Sequence, residues 1–205
     1  MDEKQYKEIL SKYVPEPTVK LVFDWVTEYG VYLKITPSRR SKLGDYRPPI
    51  RQPFHRISIN NDLNEYSFLI TFIHELAHLK IWNKHQNRVM PHGDEWYREY
   101  ISLLKIVMNM NVFPEDILIK LEKHIEKRHA SSSSDKDLYR ILKNYNSAVD
   151  HSEALEDLPL ETVFATEDGR QFRKQEKLRK RYKCLCLNNN RMYLFQPHTP
   201  IFPVK

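Results

Sequence analysis

The chain is poor in cysteine: Cys184 and Cys186 are the only two in 205 residues. Two thiols separated by a single residue cannot staple a fold, so the sequence predicts a reducing, cytoplasmic setting rather than a disulfide framework. Long hydrophobic runs are also missing. Charged residues break every apolar stretch within a few positions, which excludes a transmembrane helix and predicts no membrane partner. The opening residues Met1-Asp2-Glu3-Lys4-Gln5 are acidic and polar with no apolar segment behind them, unlike a signal peptide. No internal repeat occurs. A hydrophobic fraction of 40%, with aromatic residues at 12%, still suffices for a real core, so the expected scale is one ordinary domain with a small appendage.

Acidic residues are outnumbered, 27 against 33 Lys and Arg, for a net charge of +6 with the histidines neutral. The excess is local. From Arg170 to Arg191 nine Lys and Arg stand against one acid, Glu176, so this segment alone carries +8 and the remainder is slightly acidic. Such a run is either the solvated face of a β unit or a phosphate-binding surface. On the second reading DNA is the partner of segment 170–191, with Phe172, Tyr182 and Tyr193 stacking on unpaired bases. No base-reading motif accompanies it, so the binding would be largely independent of sequence.

Apolar spacing predicts a short helix over 2–13 and a second from Thr18 to Tyr29, ended by Gly30. Val31, Leu33 and Ile35 alternate as in a half-buried strand, residues 38–53 read as a loop or irregular hairpin, and His55 to Asn60 as another strand. The best-supported helix runs from Glu65 to about Lys84, with a stripe of Leu69, Phe72, Ile73, Leu76 and Ala77. Asp94 is placed to cap a helix bearing Trp96, Tyr97 and Tyr100, and Pro114 opens another to about Lys127. Ser131–Ser134 and the acidic stretch 150–157 read as linkers flanking a helix over 137–146. Beyond Leu160, short alternating runs between Asp-Gly and Asn-rich tips predict an antiparallel unit of three or four strands.

Within the strongest helix lies His74-Glu75-Leu76-Ala77-His78, an H-E-x-x-H motif. Its i, i+4 spacing sets two imidazoles on one helix face about one turn, ~5.4 Å, apart, which suits two ligands of one Zn²⁺. Glu75 is turned about 100° from His74, so its carboxylate can reach a water on the metal without displacing a ligand. Solvated polar residues are the competing reading, but three polar groups in an otherwise apolar helix are costly to bury without compensation. For a third ligand the sequence offers His85, Glu95 and His92. His85 falls about 10 Å along the helix from His78, too far unless the helix ends first. His92 is preferred, because it precedes Gly93-Asp94 at the start of the next helix, where a tight turn can fold the ring back.

His74-Glu75-x-x-His78 followed by His92-Gly93-x-x-Trp96 resembles the SprT-like, or Spartan-type, zinc metalloprotease family. Gly44-x-Tyr46 and Ser58-x-Asn60 ahead of the helix are similar as well, and the resemblance covers about residues 15–125. It implies zinc ligands His74, His78 and His92, Glu75 as general base, and a protein substrate of the DNA-associated or DNA-crosslinked kind. It implies an α+β fold: a mostly helical zincin-like metalloprotease domain with a small antiparallel sheet over 1–130, a linker with a short helix over 131–159, and a small basic β domain over 160–205. The zinc ribbon of typical members is reduced here to Cys184-x-Cys186, a degenerate remnant for which only His151 or His198 offers further ligands. Tyr97 and Tyr100 are the nearest candidates to assist as oxyanion donors. The alternative function is a nucleic-acid-associated binding or regulatory protein with a non-catalytic zinc site. Glu75 argues against it, since a structural site needs no carboxylate beside the open position.

Overall fold

The computed structural model describes residues 2–39, 42–50, 52–129, 131–132, 135–146, 153–197 and 199–204. It is a mixed α+β chain that divides into two units, Met1–Ser147 and Ala148–Lys205. No helix among the described residues is long and apolar enough to cross a membrane.

In the first unit, α1 (Glu3–Leu10) starts where the Asp2 carboxylate accepts from the Gln5 N–H at 2.7 Å. Helix α2 (Val19–Glu28) stops at Gly30, whose φ of +58° suits a residue without Cβ and turns the chain into β1 (Val31–Thr36). Strand β3 (His55–Asn60) pairs in parallel with β1 on one side and antiparallel with β2 (Gly44–Arg47) on the other, giving the order β1–β3–β2. The sheet is therefore mixed, not antiparallel as expected. Parallel neighbours need a crossover of a dozen residues or more, and residues 37–54 supply one that folds part of itself into β2.

The sheet packs on α3 (Glu65–His85), with Ile57 and Ile59 fully buried. Asn64 caps this helix by accepting from the Ser67 N–H at 2.9 Å. The apolar stripe seen in the sequence is only part of its buried surface, because Phe68, Ile70, Leu79 and Ile81 on other sides are buried as well. A helix covered nearly all round is a central element rather than a surface one. Helix α4 (Asp94–Met108) covers another side, tied on by Glu99, which bridges Lys80 at 2.5 Å and Lys84 at 2.6 Å.

Helix α5 (Glu115–Glu126) follows Pro114, and α6 (Lys136–Lys143) is capped by the Asp135 carboxylate. The expected linker helix is thus part of the first unit. Leu138 and Leu142 enter its core, each worth about 1.5–3 kcal/mol of burial, and the Asn64 amide donates to the Leu142 carbonyl at 2.7 Å. The boundary expected near 130 falls instead at Ser147. Of the serine run, Ser133 and Ser134 lie outside the described residues, while Ser132 is buried.

The second unit is a six-stranded sheet, larger than the three or four strands expected. Its order is β4 (Glu153–Ala154), β9 (Pro200–Pro203), β5 (Val163–Ala165), β6 (Gln171–Leu178), β7 (Arg181–Cys186) and β8 (Met192–Phe195). Leu155, Leu158, Phe164, Phe172, Cys184, Cys186 and Ile201 form its core. The described part of the acidic stretch, from residue 153 on, belongs to this fold. The Lys174 side chain, 2% exposed, donates to the carbonyls of Glu156 at 3.2 Å and of Leu158, and lies 4.1 Å from the Tyr182 ring centre. A buried ammonium needs such acceptors, and the segment just before β5 provides them.

Candidate metal centre

Helix α3 projects His74 and His78 from one face, as the spacing requires, with ring centres 4.9 Å apart. His92 comes from the turn between α3 and α4. The Gly93 N–H donates to the Met90 carbonyl at 3.0 Å, closing a four-residue turn with Pro91 second and His92 third. His92 has φ +59°. Proline followed by a left-handed residue is the signature of a type II turn, whose third position normally takes glycine or asparagine. A histidine there is strained by about 1 kcal/mol, and strain of this kind persists where the surroundings hold it in place. Here it folds the ring back onto α3.

The three rings converge through their Nε2 atoms. His78 lies 3.2 Å from His74 and 2.9 Å from His92, and His92 lies 3.2 Å from His74. Among the described residues these three form the one cluster whose ligand atoms lie within 4.8 Å of one another. The fit to a cation follows from the donor set. A hydrogen between two ring nitrogens satisfies one side of the triangle only, and the remaining lone pairs face each other. A tetrahedral zinc with bonds of about 2.0–2.1 Å sets its ligand nitrogens about 3.4 Å apart, close to the spacing found. The electrostatics agree. Burial, and then the charge of His92, lower the His78 pKa to about 4, and burial of the His92 ring lowers its value too, although the residue as a whole is exposed. Both rings are neutral near pH 7, as a metal ligand must be.

Glu75 lies on the sheet side of α3. It is 7% exposed, and its carboxylate accepts the backbone N–H of Tyr46 on β2. Burial, with the nearby Asp45 charge second, raises its pKa to about 8, against the opposing pull of that hydrogen bond and of Arg39 and Lys42. The strand comes so close because residue 44 is glycine. A Cβ there would stand 2.6 Å from Glu75 Oε1 and 2.7 Å from Thr71 Cγ2. The Gly-x-Tyr pair was visible in the sequence, but its backbone contact with Glu75 was not.

Trp96, fully buried, forms the wall behind the histidines. Its ring centre lies 4.8 Å from His74, 5.2 Å from His78 and 4.6 Å from His92. Tyr100 stacks on it at 4.9 Å and 11°, and the Tyr100 hydroxyl meets His124 Nε2 at 3.4 Å. His124 Nδ1 in turn lies 3.1 Å from the Asp135 carboxylate that caps α6. Tyr100 is thus committed to the core, and the Tyr97 hydroxyl donates to the Ile125 carbonyl on α5. Both hydroxyls, the candidates for oxyanion donor, thus have partners on α5. His85 and Glu95, the other candidates for third ligand, stand outside the cluster.

In the second unit Cys184 and Cys186 are buried free thiols, and burial pushes Cys184 up to about 11, away from the thiolate that binds metal. His151 and His198, the possible co-ligands, lie outside the described residues. The expected stacking platform is not exposed either. Phe172 is fully buried, and Tyr182 and Tyr193 pack half-buried against the same core, since strand alternation turns them inward with the cysteines.

Two outcomes follow for the metal-free protein. A carboxyl whose pKa is raised from 4.5 to about 8 on folding favours the fold below pH 4.5 and loses that contribution as the pH rises through 8. The lowered values of His78 and His92 act the other way, removing stability as the pH falls below 6.5. Between pH 6.5 and 8, therefore, Glu75 dominates this group. Urea titrations should show wild type losing about 1–2 kcal/mol more than Glu75→Gln over that interval; parallel profiles would contradict the burial of an acid here. For the turn, His92→Gly should be about 1 kcal/mol more stable than His92→Ala, and equal stability would show that the turn is unstrained.

Comparison of the chain with protein-family models, with curated proteins and with solved structures finds no match.

Proposed function

We propose that this chain is a zinc-dependent metallopeptidase of SprT-like type, with a protein as its substrate. The observation that carries the reading is a buried carboxylate, Glu75, on the residue next to His74 in a cluster of three converging imidazoles. A site that served only to hold the fold together would gain nothing from burying an acid at that position.

In this reading His74, His78 and His92 hold the metal through Nε2. Bound there, zinc would supply Lewis acidity toward a peptide carbonyl and lower the pKa of a coordinated water to about 7. Glu75, poised near neutrality by burial, takes the proton of the attacking water on its carboxylate and returns it to the departing amine. The Tyr46 N–H and the bare Cα of Gly44 hold that carboxylate in one orientation. Trp96 and Tyr100 keep water from the far side of the ligands. Strand β2 is the sheet edge beside Glu75, and an extended polypeptide can add to its open side.

The deciding measurement pairs metal content with cleavage of an unfolded protein such as casein. Glu75→Gln should retain one zinc and lose about 10²- to 10⁴-fold in rate, and His78→Ala should lose both metal and cleavage. Wild type that holds stoichiometric zinc yet cleaves no faster than Glu75→Gln would favour the non-catalytic alternative.

A second reading concerns DNA. The turn between β6 and β7 exposes Lys177, Arg179, Lys180 and Arg181 together, and among the described residues no acid pairs with the last three. Cations concentrated on a hairpin tip suit phosphates, and without exposed aromatics the contact would be electrostatic. Anisotropy with a labelled oligonucleotide should show binding that weakens steeply between low and physiological salt and is lost when these four become glutamine. Binding that survives the change would remove the tip from the interface.

A further inference from the structure

Arg39 sits outside the metal centre, in the loop ahead of β2, and four of its contacts converge on one small region. Its Nε donates to Asn60 Oδ1 at 2.8 Å and its Nη1 to Ser58 Oγ at 3.0 Å. Its Nη2 donates to the carbonyls of Ser58 at 3.2 Å and Leu43 at 3.4 Å. Asn60 completes the knot in the reverse direction: its Nδ2 donates to the backbone carbonyls of Arg39 at 3.2 Å and Lys42 at 3.1 Å. The Asn60 N–H donates to the Leu43 carbonyl at 3.0 Å. Ser58 and Asn60 lie on β3 between the inward-facing Ile57 and Ile59 and beyond them, yet they are 5% and 1% exposed, because the loop and the guanidinium cover them. The carbonyls of residues 39, 42 and 43 are thereby all anchored to β3.

The residue after this anchor is Gly44, whose Cα has no room for a side chain against Glu75, and two further on is Tyr46, whose N–H the Glu75 carboxylate accepts. Where β2 begins, and how close it lies to α3, are therefore fixed by the knot rather than by the strand, which is only four residues long. A short edge strand has few ladder bonds of its own to resist lifting. We infer that Arg39, clamped to Ser58 and Asn60, is a positioning residue for Glu75 that acts through the backbone of β2. Arg39 touches Glu75 through no hydrogen bond of its own, and the guanidinium matters for its fork of donors, which a lysine lacks. For catalysis the inference rests on the peptidase reading above; for the placement of β2 it does not.

The test uses full-length protein in the zinc-loaded form, with Arg39→Gln and Arg39→Lys. Hydrogen exchange at the Tyr46 amide should quicken by about tenfold in both variants while the amides of α3 stay protected and zinc stoichiometry stays at wild type. With casein as substrate, kcat should fall by about tenfold or more with KM within about twofold, the mark of a misplaced group rather than weakened binding. If Arg39→Gln fails to fold, Arg39→Lys, which keeps the charge and removes the fork, carries the same measurements by itself. Unchanged exchange at Tyr46 in a folded variant overturns the inference whatever the activity. So does a loosened Tyr46 amide with kcat intact in an active enzyme. If wild type itself cleaves nothing beyond Glu75→Gln, the peptidase reading fails, and the exchange data alone decide whether Arg39 places β2 against Glu75.

Discussion

A carboxylate and two imidazoles in the middle of a helix that is otherwise buried set the terms for everything packed around α3. Each of the three polar groups has to find a partner or be expelled, because an unpaired polar group in an apolar interior costs about 1–3 kcal/mol. The chain meets the demand from two directions. On one side the α3–α4 turn brings in His92, so that the imidazoles meet one another. On the other β2 brings in the Tyr46 N–H for Glu75. Both supports come from short, irregular pieces of chain, and each is braced: the turn by Pro91 and the Trp96 wall, the strand by the knot on β3.

Bracing continues outward in a single line of side chains. Trp96 stacks on Tyr100, Tyr100 meets His124, and His124 meets Asp135, which also caps α6. The C-terminal helix of the first unit is thus coupled to the wall of the site through buried contacts. This explains why α6 belongs with that unit, although a serine-rich stretch precedes it.

Much of the site was legible because its signal is local. The H-E-x-x-H spacing needs nothing but helical periodicity to be read, and His92-Gly93 announces a turn before a helix. The helices of the first unit and its strands β1 and β3, punctuated by Gly30 and Pro114, were legible for the same reason. What escaped was non-local. Strand β2 has no alternation to betray it, since Gly-Asp-Tyr-Arg becomes a strand only by pairing with β3. The parallel direction of β1 and β3 depends on the path of the chain between them. Phe172, Tyr182 and Tyr193 have the same composition whether they face a base or a core, and only the register with Cys184 and Cys186 decides. The roles of Tyr97 and Tyr100 depended on α5, which no pattern within α4 foretells.

Lys174 shows how little a sequence boundary says about where a unit can be cut. Its ammonium is held by the carbonyls of Glu156 and Leu158, and the Leu155 side chain next to them is fully buried in the core of the sheet. A fragment beginning at residue 160, where the texture of the sequence changes, would retain the lysine and discard both acceptors together with two core leucines. The orphaned charge would have to reach solvent through the centre of the sheet, so such a fragment would lose its core. Any piece meant to fold by itself has to include the stretch from 153, because a segment that resembles a tether is the seat of the buried cation.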